Sequence, residues 1–279
     1  MAAKGQSLTL YEALIWSLKL DYEFVFHVPG IPISRKFELI VKKYWNALGD
    51  ILFGFKGVKR VSVLGRNYYY DEVYGLASLQ RVYCASYGLK RLLPDHPVVV
   101  DVGANIGQFA FFCSHYLQAE RVVSIEPIKE CHKLPQMNSL SPSDCLNVLV
   151  SSDQGEQRFY ICEGATQLSS TIRDEREFYS EGIMLVGHRL SDLIRESTLE
   201  WIDLLKVDTE GSEYDVLLSG DEVLDMVGGI LVEISLFRNA TGGAFDTGYF
   251  LERRHFKLAS MVCARGATPK DADALFLRR

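Results

Sequence analysis

The sequence predicts an α/β fold, a doubly wound sheet with helices on both faces and a mainly helical appendage in front. Three observations carry this. The run Val98-Val-Val-Asp-Val102 is apolar apart from one acid, as in a strand buried on both faces. It opens into Gly103-Ala-Asn-Ile-Gly107 and then Phe109-Ala-Phe-Phe112, a strand–turn–helix junction where such sheets take ligands. From Pro97 onward, strand and helix patterns alternate regularly.

In chain order, Ser7 caps an expected helix from Leu8 to about Lys19. Asp21 to Ser34, aromatic and holding Pro29-Gly30, reads as an extended piece and a turn. An amphipathic helix follows from Arg35 to about Phe53, then a strand pair over Arg60–Tyr70 hinged near Gly65-Arg66-Asn67. Tyr74 to Leu93 reads as a third helix, stopped by Pro94. These elements set apart residues 1–90 as an appendage on the substrate or oligomer side, and residues 91–279 as the main domain.

In the main domain the first strand is Val98–Val102, with a helix from about Gly107 to Tyr116. The second is Arg121–Ile125, with a helix from Ile128 to about Asn138, and the third Cys145–Val150. Arg158 to Gly187 reads as a strand and an irregular lid, and Ser191–Arg195 as a short helix. The fourth strand is Ile202–Val207, with a helix to Leu218 capped at Gly220. The fifth is Gly229–Ile234; Phe256–Met261 and Ala274–Leu277 form an antiparallel hairpin at the sheet edge.

Composition narrows the class. Nearly half of the residues are apolar, as in an ordinary globular domain. No run reaches the length of a spanning helix, and Glu12 and Lys19 interrupt the apolar start, so neither membrane span nor signal peptide is expected. Six scattered Cys without a C-x-x-C spacing point to free, mostly buried thiols in a cytoplasmic protein. Residues 1–100 carry 13 basic against 8 acidic side chains, and residues 101–279 carry 17 against 28. A domain that acidic is a poor reader of phosphate backbones, so no nucleic-acid partner is expected.

The chemistry is concentrated at strand ends. Gly103-x-x-x-Gly107 leaves an open turn, and Glu126, closing the second strand, offers lone pairs to both hydroxyls of a ribose. A dinucleotide fingerprint needs glycine where Asn105 stands; a P-loop needs Gly-Lys-Ser/Thr, but Gln108 follows Gly107. This pattern reads as a cofactor loop for S-adenosylmethionine. Asp101, Gly103, Asn105, Gly107, Glu126 and Pro127 are the expected cofactor residues. Ser152 and Asp153, after the third strand, face the adenine edge or form a solvated turn.

Asp208 and Glu210 are the candidate catalytic residues, Asp208 also lying beside the cofactor's methyl. Methyl transfer to oxygen needs an in-line approach and a group to take the hydroxyl proton. Lys206 interrupts an apolar strand and, by alternation, sits on the same side as Asp208, which makes it a pairing partner. Glu233 serves either the site or Lys206; His188 is read as a surface or core residue. Asp208, Glu210 and Glu233 could hold a metal, but nothing in the sequence requires one and none is expected.

Read together, Val100-Asp-Val-Gly-Ala-Asn-Ile-Gly107, Ile125-Glu-Pro127, Val150-Ser-Ser-Asp-Gln-Gly155 and Ile202-Asp-Leu-Leu-Lys-Val-Asp-Thr-Glu-Gly-Ser-Glu213 resemble the FkbM family of methyltransferases. The resemblance covers about residues 90 to 279. It implies a Rossmann-like class I fold: a mostly parallel seven-stranded sheet whose last strand is antiparallel. It further implies S-adenosylmethionine as cofactor and O-methylation of a sugar, polyketide or similar small-molecule or glycan acceptor. Two departures stand out, Thr209 where members often have Val, and Arg189-Leu-Ser-Asp-Leu193 where Thr-Leu-Asp-Asp-Leu is common. The alternatives are an N- or RNA methyltransferase, for which Tyr68 to Tyr70 with Arg66 would be the stacking surface, and a non-catalytic S-adenosylmethionine-binding protein. A homo-oligomer built through residues 1–90 is open.

Overall fold

The computed structural model describes residues 10–54, 57–63, 65–71, 75–138, 144–162, 169–172, 182–235, 243–263 and 271–279. The front segment comprises helices α1 (Leu10–His27) and α2 (Ile33–Phe53), the hairpin β1 (Lys59–Val63) and β2 (Arg66–Tyr70), and helix α3 (Gly75–Ser86). The hairpin pairs Lys59 with Tyr70 and Val63 with Arg66, as its alternating pattern requires.

Behind it stands a seven-stranded sheet. Its members are β3 (Val98–Val102), β4 (Arg121–Ile125), β5 (Cys145–Leu146), β9 (Leu204–Val207), β10 (Gly229–Ser235), β11 (Phe256–Cys263) and β12 (Asp271–Arg278). They lie in the order β11-β12-β10-β9-β3-β4-β5. β3, β4, β5, β9 and β10 pair in parallel, while β12 runs antiparallel to both β10 and β11. This is the Rossmann-like methyltransferase order, with the last strand inserted against the grain. β6 (Leu149–Val150), β7 (Glu156–Phe159) and β8 (Ile183–His188) form a second, three-stranded sheet in the order β6-β8-β7.

The helices between strands are α4 (Gln108–Phe112), continued by a wider turn over Cys113–Leu117, α5 (Lys129–Asn138), α6 (Leu190–Glu196), α7 (Glu213–Ser219) and α8 (Ala244–Arg253). Two cores result. One joins Phe24, Tyr68 and Tyr83 of the front segment to Phe111, Phe112 and Val99, so the front segment and sheet share one apolar interior. The other packs Val100, Val102 and Val207 against Leu190, Val216 and Leu251.

Several boundaries differ from the sequence expectation. α1 continues to His27, because Leu20, Phe24 and Val28 keep a four-residue step that the core buries. The expected extended piece from Asp21 therefore shrinks to the turn around Pro29 and Gly30. α3 ends at Ser86 and a 3-10 turn covers Tyr87–Arg91. The third strand is two strands in different sheets, broken at Asn147, whose Nδ2 donates to the carbonyls of Glu126 and Pro127. Gly220 ends α7 at φ −98°, without the left-handed cap. α8 was not expected; Gly248 at its middle weakens the local signal, and burial of Leu251 and Thr247 compensates. The lid falls largely on residues 163–168 and 173–181, outside the described residues.

Cys113, Cys131, Cys145 and Cys162 are buried and Cys84 is half-buried. No helix among the described residues is long and apolar enough to cross a membrane.

Candidate functional site

The carboxyl ends of β3, β4 and β9 open into one cleft. One end is built around Glu126. Its Oε2 accepts the backbone N–H of Asn105 at 2.8 Å, and its Oε1 that of Ile128 at 2.8 Å. Asn105 sits at φ 47°, so the carboxylate holds the loop in the left-handed turn that aims this N–H inward. Burial pushes the Glu126 carboxyl up to about 7, against the two backbone donors that stabilise its charge. Each oxygen keeps a further lone pair.

Beyond Glu126 the walls turn apolar: Pro127, Ile128, Val148, Leu149 and Phe159 line the cleft. They form a slot suited to a flat ring.

The other end is built from the loop Asp208-Thr-Glu-Gly-Ser-Glu213. Glu213 organises it, its Oε1 accepting from the N–H groups of Thr209 at 3.0 Å and Gly211 at 2.8 Å. Glu210 is held at φ 56°. Asp208, Thr209, Glu210 and Ser212 all reach the cleft. Ser169 and Thr171 close over it, the Thr171 and Ser212 hydroxyls lying 2.6 Å apart.

Beneath this end runs an ion-pair chain. Parallel pairing sets Asp101 of β3 opposite Lys206 of β9, on one face of the sheet. Lys206 Nζ lies 3.3 Å from Asp101 and 3.1 Å from Asp208, and 5.4 Å from the Phe109 ring centroid. Burial works against the ammonium, but the two carboxylates hold the Lys206 pKa above its ordinary range. Burial likewise opposes ionised Asp208, and the adjacent ammonium outweighs it, so the Asp208 pKa falls below the usual carboxylate range. Burial raises that of fully enclosed Asp101 in spite of Lys206.

Asp208, Glu210 and Glu233 carry carboxylate oxygens within 4.8 Å of one another. Burial, then the charges of Asp208 and Glu210, drive the Glu233 pKa well up. The cluster therefore pushes its acids in opposite directions, Asp208 towards the ionised form and Glu233 towards the protonated one. The trio is also able to hold a divalent ion.

The structure thus brings together Gly103, Asn105, Glu126, Pro127, Asp208 and Glu210 from the expected set. Four expected cofactor residues do not line the cleft, for identifiable reasons. Asp101 is turned to Lys206. Gly107, at φ 81°, lets α5 approach: a Cβ there would lie 2.9 Å from Pro135 Cα. Ser152 hydrogen-bonds to Asp215, and Asp153 Oδ1 accepts from Gly155 N at 2.8 Å, closing a turn. The break at Asn147 displaces these two, and Val148 and Leu149 take the place expected for them. Sequence reasoning missed that apolar wall together with Phe159, Ser169 and Thr171; the only local signal was the polar Asn147 within an apolar strand.

Gly103 joins the two ends. At φ +82°, a Cβ there would lie 1.8 Å from the Asp208 carbonyl oxygen. The expected Lys206–Asp208 pair is present, whereas Glu233 faces the acid cluster and not Lys206. His188 is exposed.

Comparison with known proteins converges on these segments. Residues 101–258 match the description Methyltransferase FkbM domain. The chain is 29% identical over 174 residues to methyltransferase sdnD of Sordaria araneosa, covering 50% of this chain and 67% of that protein. It is 29% identical over 159 residues to 2-O-methyltransferase NoeI of Sinorhizobium fredii, covering 51% and 64%. The aligned stretch thus spans about two thirds of these relatives' length. A crystal structure of methyltransferase FkbM from Methylobacillus flagellatus overlaps 74% of this chain and 54% of its own at 15% identity, with a TM-score of 0.44. Matched to that domain over more than half of its length, the chain belongs to the FkbM methyltransferase family.

Proposed function

We propose that this chain transfers a methyl group from S-adenosylmethionine to a hydroxyl of a sugar, polyketide or related small-molecule or glycan acceptor. The observation that carries the reading is one cleft with two unlike carboxylates, Glu126 at one end and Asp208 at the other.

The residues fit the cofactor. Glu126, with two lone pairs left over, suits a ribose diol, and Ile128, Val148, Leu149 and Phe159 suit the adenine. When bound, S-adenosylmethionine supplies the electrophilic methyl. Gly103 and Asn105 would shape the floor under it, and Asp208 would border the reacting end.

Asp208 then orients the acceptor hydroxyl and takes its proton in the transition state. Lys206 keeps Asp208 ionised and fixed. Glu210 and Glu233 border the acceptor side, where a proton can be passed on to solvent. The charge of Arg81 on α3 reaches Asp208 and Asp273, which supports the front segment as a wall of the acceptor site. The name of NoeI, a 2-O-methyltransferase, supports oxygen as the atom methylated.

Of the stacking surface named for the RNA alternative, Arg66 is exposed and Tyr69 half-buried. Tyr68 and Tyr70 are buried, Tyr68 edge-on to Phe111 with ring centroids 5.0 Å apart.

A labelled-methyl transfer assay over fractionated hydroxylated metabolites and glycans tests the reading. Turnover of one acceptor is expected, with Asp208→Asn lowering it about a hundredfold or more while calorimetric cofactor affinity changes little. Equal turnover in the variant would remove Asp208 from the chemistry.

A further inference from the structure

The hairpin of α1 and α2 is apolar on both sides, although the core uses only one. Along α2, Ile33, Phe37, Val41, Trp45, Leu48 and Leu52 are all exposed, Trp45 to 74%. At 3.6 residues per turn these six fall within one sector of about 120°. The buried Lys36, Leu39 and Lys43 occupy the opposite sector. α1 repeats the arrangement, with Leu14, Leu18, Tyr22 and Phe26 exposed in steps of four while Leu20, Phe24 and Val28 face inward.

A contiguous apolar stripe on a surface helix marks the side that packs against another surface. Rows of side chains four apart are the ridges that interlock when helices pack. Val41, Trp45, Leu48 and Leu52 step by four, three and four, the spacing of a helix–helix seam. With roughly half of each side chain bare, these ten residues expose on the order of 1,000 Å². A standard protein–protein contact takes about 800 Å² per partner.

The charges beside the stripes decide between a lipid surface and a protein. Binding to anionic lipid asks for a cationic rim. Here Lys36 is turned inward, its Nζ donating to the carbonyls of Val25 and Val28. Lys43 is buried against Asp21 at 2.5 Å and Gln80 at 3.0 Å. On the rim of α2, Arg35 and Lys42 both pair with Glu38, and on that of α1 exposed Lys19 and half-buried Glu23 line the same shallow groove. Such a rim offers both signs and can complement itself, as a twofold contact demands.

We propose that this face is the contact between two copies of the chain, α1 and α2 of one protomer packing on those of its partner about a twofold axis. Sedimentation velocity of the full chain at rising concentration should show a dimer. Val41→Glu combined with Trp45→Glu should weaken association at least about a hundredfold and leave cofactor affinity by calorimetry unchanged. Trp45→Ser, a milder change, should act in the same direction and decides the matter if the double variant does not fold. A wild-type chain still monomeric at about 0.1 mM overturns the proposal. So does a dimer that the variants leave intact, or a monomer that instead co-sediments with phosphatidylcholine–phosphatidylserine vesicles.

Discussion

The two ends of the cleft use the same side-chain chemistry to opposite effect. At one end Glu126 meets backbone N–H groups, those of Asn105 and Ile128 each at 2.8 Å. At the other, Asp208 shares a small space with Glu210 and Glu233 and rests on Lys206. Burial, and after it the charge of Asp101, carry Glu126 to about 7, whereas a neighbouring ammonium keeps Asp208 ionised and Glu233 is pushed the other way. A carboxylate fixed by N–H donors suits a neutral, hydroxyl-rich ligand. A crowded one beside a lysine suits the handling of protons. Neighbours, not residue type, assign the roles.

The comparison can be broken at its charged end first. Lys206→Met should remove the ammonium that Asp101 and Asp208 share, and Asp101 is fully enclosed. A loss of about 3–5 kcal/mol in stability is expected, smaller in acid, where Asp101 can take up a proton. Denaturant unfolding at neutral and acid pH measures it; a pH-independent loss would mean that Lys206 acts through packing alone.

Gly103 is the weld between the ends. Gly103→Ala places a methyl against the Asp208 carbonyl in a left-handed conformation. We expect it to lose about 2–3 kcal/mol and to weaken ligand binding at both ends of the cleft. A variant with unchanged melting and unchanged calorimetry would show that the two loops are independent.

The smallest effect belongs to the Glu126 end. Its carboxyl titrates higher in the folded protein, at about 7, than its ordinary value of 4.5. The stability this contributes is fully present below about pH 4.5 and is lost as pH rises through about 7. Cofactor affinity runs the other way, since the ionised form is the better acceptor for ribose hydroxyls. It should rise up to about tenfold between about pH 6 and about pH 8, and Glu126→Gln should flatten the profile. Calorimetry across that range decides it.

Much of this was legible in the chain itself. Buried parallel strands carry no alternating pattern to misread, so the apolar runs at Val98–Val102 and Arg121–Ile125 coincide with β3 and β4. Loop residues with special requirements were equally plain: Gly103 and Gly107 take positive φ, and Glu126 closes its strand. Harder to read was anything defined by a distant partner. Asp101 looked like a ligand residue because a strand-end acid often is one; its role followed from Lys206, 105 positions away in the chain, which lies beside it only once β3 and β9 pair. For Ser152 and Asp153 the sequence left open an adenine edge or a solvated turn; the turn forms after a break at Asn147, whose side-chain bonds to Glu126 and Pro127 are long-range.

The sequence by itself determined the doubly wound sheet, the cofactor-type turn and the family, because each is written in local patterns of a few residues. Tertiary structure decided which acids meet which cations, that Val148, Leu149 and Phe159 wall the cleft, and that α1 and α2 carry a second apolar face outward. The physical reason is range. Strand and turn preferences act between neighbours in the chain, whereas desolvation, ion pairing and the shape of a surface arise only when remote segments are brought into contact.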